Sequence, residues 1–123
     1  MYSTNECAKM LAEQGQNVLA CTKDLKRIAK NKGKERSSLY ERYCANQHSF
    51  NVYTYIDATI ENLTEVQAFK RKMTLFGAVF AGTRTDYEAE IDVRQVEIMY
   101  EELVTAYGEM MDKLGFSDKT LVK

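Results

Sequence analysis

Apolar residues recur along this chain at alternating spacings of three and four, the pattern of a buried stripe on one side of a helix. The first run is Cys7, Leu11, Gln14, Val18, Cys21, Leu25 and Ile28, with Met10 widening the stripe and Gln14 as its polar exception. Ser3 stands before it and Glu6 three residues later. That is capping-box spacing: the hydroxyl accepts from the N3 amide while the carboxylate accepts from the cap amide. Lys26, Arg27 and Lys30 suit the negative end of a helix dipole, and Gly33 is the natural left-handed stop. The pattern predicts a helix over 4–31, in which Gly15 costs about 1 kcal/mol relative to alanine.

Ser38 and Glu41 repeat the capping spacing and predict a second helix after a short loop, with Leu39, Tyr43, Phe50, Tyr53, Ile56, Ile60 and Leu63 on its seam. Phe50, Val52, Thr54, Ile56, Ala58 and Ile60 also alternate at period two, but a lone strand has no partner here and the helix is preferred. A third seam, Val66, Phe69, Met73, Phe76 and Phe80, is out of register with the second. A turn near residues 61–64, capped by Asn62 or Thr64 with Gln67 following, accounts for the shift. The alternative is one rod, because residues 38–76 contain neither Gly nor Pro. Such a rod would be roughly 58 Å long. It would imply a three-helix arrangement with one very long central helix, made stable by dimerisation.

Gly82 and the residues up to Asp86 read as a stop, a short loop and a new cap. The last seam is Val93, Val96, Tyr100, Leu103, Tyr107, Met110 and Leu114, and Gly115 ends it. Ile91, Ile98 and Met99 lie off that seam. The resulting expectation is an all-α fold, an antiparallel four-helix bundle with helices near 4–31, 38–61, 64–81 and 86–114. It forms a single domain over 1–115, followed by a C-terminal tail over 116–123 that docks only through Phe116 and Leu121.

Composition agrees: 123 residues suffice for one core, and the lack of Pro with only six Gly favours long helices over many corners. No apolar run approaches the ~20 residues that cross a bilayer. The first residues lack the basic and apolar regions of a signal peptide, so a cytoplasmic protein is expected. Three Cys at irregular spacing argue for reduced thiols rather than a disulfide framework.

Charge changes the picture more. Residues 23–42 carry eight Lys or Arg against three acids, whereas residues 86–112 carry nine acids against Arg94 alone. The basic segment, with Lys26, Arg27, Lys30, Lys32, Lys34 and Arg36, lies beside Tyr40, Tyr43, Tyr53 and Tyr55. Basic side chains with aromatic stacking platforms are what single-stranded nucleic-acid binders use, so nucleic acid is an alternative partner. The opposite charges also suggest head-to-tail or antiparallel self-association into a homo-oligomer.

Candidate chemistry is sparse. Arg42 followed by His48 resembles the motif of HEPN-domain ribonucleases, small all-α and usually dimeric proteins. The resemblance spans seven residues, and Tyr43 departs from the polar residue that commonly follows the Arg. It implies a metal-independent ribonuclease in which His48 does acid–base work and Arg42 neutralises phosphate. A solvated arginine and histidine are the ordinary reading. Cys44 and His48 stand one turn apart, and the first hairpin brings Cys21 to their level, which outlines a three-ligand metal site without a fourth ligand. Gly77 and Gly82 have phosphate-loop spacing but no Lys follows, so close helix packing explains them better. No Glu-x-x-His pair exists for a di-iron centre.

The expected function is therefore a non-catalytic helical protein-interaction module: an adaptor, regulator or assembly subunit without a cofactor. It would meet its protein partner through Tyr40, Tyr53, Tyr55, Ile91, Ile98 and Met99.

Overall fold

The computed structural model describes residues 3–116. It is all-helical, with five α-helices and no strand among the described residues. Helix α1 spans Thr4–Ile28, α2 Lys34–Thr54, α3 Ala58–Glu61, α4 Thr64–Phe80 and α5 Val93–Leu114, with a 3-10 turn at Ala81–Arg84.

The Ser3 box forms as its spacing predicts. Ser3 Oγ accepts from the Glu6 amide at 3.1 Å and the Glu6 carboxylate accepts from the Ser3 amide at 3.0 Å. The end of α1 differs from expectation. The helix stops at Ile28, and Gly33 serves α2 as its N-cap instead of closing α1. At φ 124° Gly33 occupies backbone space that side-chain-bearing residues avoid, so only glycine turns the chain so tightly here. Helix α2 consequently begins at Lys34, not at Ser38. The neighbour of the expected cap, Ser37, is buried and donates its hydroxyl to the Thr83 carbonyl at 2.8 Å.

The expected helix over 38–61 is in two pieces. Helix α2 ends at Thr54, and the Asp57 carboxylate accepts from the Thr59 and Ile60 amides to start the single turn α3. Ile56, placed on the buried seam by periodicity, is thereby left exposed. A second break follows at Asn62 and Leu63. Its cap residue is Leu63 rather than Asn62 or Thr64, and Gln67 reaches back to donate to the Glu61 carbonyl. The continuous rod over 38–76, and with it the three-helix alternative, is excluded by these two breaks.

Residues 86–92 are not helical. Asp86 caps a local turn through the Glu88 amide, and Asp92 is the true cap of α5, accepting from Gln95. Gly115, at φ 92°, ends α5 as anticipated, and Phe116 packs against the core. Leu121 and the rest of the expected tail lie outside the described residues.

Side-chain contacts give the helix directions. Ala29 bonds Arg36 and Cys21 bonds Asn46, so α1 and α2 run antiparallel. Lys72 pairs with Glu102, and the Phe69 ring meets the Tyr107 ring at a tilt, so α4 and α5 do too. Tyr40 against Phe80 and Phe50 against Phe69 set α2 antiparallel to α4, while Ala12 with Tyr107 and Lys26 with Tyr100 set α1 antiparallel to α5.

The enclosed space is filled by aromatic and aliphatic side chains. Tyr43, Phe76 and Phe80 form one aromatic run, with successive centroids 5.4 and 5.5 Å apart, and Phe50, Phe69 and Tyr107 form a second at 5.0 and 5.6 Å. These are the separations at which offset and tilted ring pairs attract. Each fully buried ring or aliphatic chain adds about 1.5–3 kcal/mol over leaving it in water.

Candidate functional site

The basic segment folds against the acidic one. Arg36 is 1% exposed. Its Nη1 donates to the Ala29 carbonyl at 2.9 Å, and its Nη2 donates to the carbonyls of Tyr87 (3.3 Å) and Ala89. Ala29 is the C-cap of α1, so the guanidinium rests on the negative end of that helix and on a loop, with no carboxylate paired to it among the described residues. Arg36 therefore cannot face a nucleic acid; it is a structural clamp.

The Gly33 amide also holds the Tyr87 carbonyl, at 2.8 Å. Together these bonds hold the backbone at Tyr87 and Ala89 against the α1–α2 turn. Lys32 meets Glu90 at 3.3 Å, Lys26 stands 4.9 Å from the Tyr100 ring centre, and Arg27 lies 3.9 Å from Asp24. Lys30 and Lys34 stay exposed. At this end the Lys32–Glu90 ion pair joins the basic segment to the acidic one.

The expected partner-binding residues separate. Tyr40 is buried between Tyr43 and Phe80 and is not part of a surface. Tyr53, Ile91 and Met99 are half-buried against the core. Tyr55 and Ile98 are exposed, with the Lys70 ammonium 4.8 Å from the Tyr55 ring centre.

Arg42 and His48 are both exposed on α2. Six residues of helix turn them about 120° apart, so they do not share one face. Cys21 is buried and accepts from Asn46 at 3.2 Å, Cys44 is half-buried, and His48 is exposed. The three are not brought together: among the described residues no group of three His, Cys, Asp or Glu side chains could hold a metal ion. Gly77 lies within α4, where an added Cβ would stand 3.2 Å from the Tyr43 ring, so its spacing to Gly82 serves packing.

Burial accounts for the main shifts in acidity. Desolvation pushes the Tyr40 and Tyr107 hydroxyls up to about 12 and raises Tyr43 further. Tyr43 donates to the Met73 carbonyl and Tyr107 to the Ala12 carbonyl at 2.9 Å. Burial likewise pushes up the Cys7 and Cys21 thiols. All these shifts favour the neutral forms.

Periodicity did not reveal the groove between α4 and α5. Two adjoining cavities, of about 540 and 500 Å³, share Ala68, Ala106 and Glu109 and so form one trough. Small residues make its floor. Its walls carry Glu65, Glu101, Glu102, Glu109 and Asp112 against Lys72 and Lys113. Lys72 is already engaged by Glu102 at 2.7 Å. Leu75, 49% exposed, lies a turn beyond Lys72, and Ile98, 41% exposed, lies a turn before Glu102. Antiparallel register therefore sets the two at the same level at one end of the trough. Among the described residues no helix is long and apolar enough to cross a membrane. The scan against family models, the search of curated proteins and the search of solved structures each return no match.

Proposed function

We propose that the four long helices form an antiparallel bundle and that the domain is a non-catalytic protein-interaction module whose docking face is the α4–α5 groove. The observation that carries this reading is an open trough floored by Ala68 and Ala106 and lined by half-exposed Ile98, with half-exposed Leu75 two turns from Ala68 on the same stripe of α4. A floor of alanines lets a third backbone approach closely, and aliphatic side chains at the rim supply the apolar area that association needs. The free thiols support a reducing, cytoplasmic setting. A nucleic-acid role has less support, because Arg36 is internal and Lys32 at the basic turn is paired with Glu90. Quantitative co-purification from the native source tests the proposal. Leu75→Lys with Ile98→Lys should lose a partner that wild type retains, while both proteins melt alike; an unchanged set of partners would refute it.

A further inference from the structure

We infer that the groove takes a basic amphipathic helix from another protein, an inference that rests on the interaction-module reading and names its partner's chemistry. The trough runs along two antiparallel helices from the level of Thr64 and Lys113 to that of Leu75 and Ile98. Eleven residues of α4 separate its ends, about 17 Å at 1.5 Å per residue. A straight segment of three turns fills that length, and its own side chains interdigitate with the ridges of α4 and α5. The described residues offer no strand edge for an extended peptide to extend.

Charge sets the character of that segment. Among the described residues, Glu65, Glu101, Glu109 and Asp112 form no ion pair, and Glu102 is matched only by Lys72. An uncharged occupant would desolvate these carboxylates without compensation, which is unfavourable. A second copy seated through the same groove would set carboxylates against carboxylates. A second copy offering its α1–α2 turn would bring Glu90, paired with Lys32, along with its lysines. A foreign helix with a small or aliphatic stripe flanked by Lys and Arg meets both requirements. Its stripe covers Ala68, Ala106, Leu75 and Ile98, and its cations reach the walls.

Selection from a displayed library of amphipathic helices, with flanking positions randomised among Lys, Arg, Gln and Glu, tests this on the intact chain. Lys and Arg should be enriched. The best peptide, titrated into isotope-labelled protein, should shift resonances of Ala68, Thr105 and Ala106, and should bind more weakly as salt rises. Glu101→Lys with Glu109→Lys should cut its affinity about tenfold and leave the melting temperature nearly unchanged. No enrichment, enrichment of Gln or Glu, shifts confined to other helices, or indifference to the charge reversal would each overturn the inference. If the peptide arm fails while Leu75→Lys with Ile98→Lys still loses a native partner, the module stands and only the basic helix falls. If both fail, both fall.

Discussion

The ring of Tyr107 occupies the space that Gly15 leaves by having no side chain. A Cβ built on Gly15 would stand 2.5 Å from Tyr107 Cε1, and the same tyrosine donates its hydroxyl to the Ala12 carbonyl at 2.9 Å. The glycine that weakens α1 locally is the socket through which α1 and α5 meet. Gly15→Ala should therefore destabilise the fold by about 1–3 kcal/mol, although helix propensity alone would add about 1 kcal/mol of stability. Denaturant midpoints decide between the two signs.

Arg36 holds the carbonyls of Ala29, Tyr87 and Ala89, the second shared with the Gly33 amide. Arg36→Met should cost about 3 kcal/mol or more, since it strands buried acceptors. Arg36→Lys should recover only part of that loss, because one ammonium cannot reproduce the planar fork. Substituting exposed Lys30 or Lys34 with Gln should change stability by less than about 0.5 kcal/mol. Urea titrations of the four variants provide the comparison.

The buried tyrosines make stability fall on the alkaline side. The hydroxyls of Tyr40 and Tyr107 ionise near 12 in the folded protein, against about 10 in an unfolded chain. Their contribution is complete below about pH 10 and is lost as pH rises toward about 12, where only the unfolded state has released its protons. Phenolate absorbance should rise in two stages, the second coincident with loss of helical circular dichroism. On the acid side, the Ser3 amide and hydroxyl hold Glu6 below its usual range, and bonds led by Thr4 do the same for Asp57. Their contributions are present above about pH 4 and vanish as pH falls through the lowered values.

Cys7 and Cys21 are buried, which pushes their thiol pKa values up and makes them less acidic, whereas Cys44 is half-buried. A thiol reagent followed by mass spectrometry should label Cys44 first, and the other two only on unfolding. Equal rates for Cys21 and Cys44 would mean that the α1–α2 interface opens as readily as the surface breathes.

Much of the fold was legible wherever one seam recorded the burial. Leu11, Val18 and Leu25 on α1, Val66 to Phe80 on α4, and Val96, Leu103 and Met110 on α5 are all buried as their spacing implied. Cap positions were less legible, because Ser or Asp followed three residues later by an acceptor is a common local pattern with several solutions. At Ser38 the pattern was empty: the chain had already entered the helix at Gly33, and tertiary bonds from Arg36 and Ser37 decided its start. Arg36 was misread for a related reason, since its partners are carbonyls that no side-chain pattern announces. The groove left no mark in the periodicity because its floor is alanine, which is at home in a core or on a surface. Its α5 wall was visible only as part of an acidic run.

The α1–α5 seam also bears on the order in which the molecule assembles. The α1–α2 and α4–α5 pairs join nearby parts of the chain, but the bond from Tyr107 to Ala12 spans 95 residues, and those from Arg36 to the Tyr87 and Ala89 carbonyls span 51 and 53. Loop-closure entropy places such distant ties late. Tyr107→Phe should accordingly hasten unfolding and barely alter refolding in stopped-flow measurements. The socket at Gly15 then acts as a latch on a structure already built, setting how long the folded state lasts more than how quickly it forms.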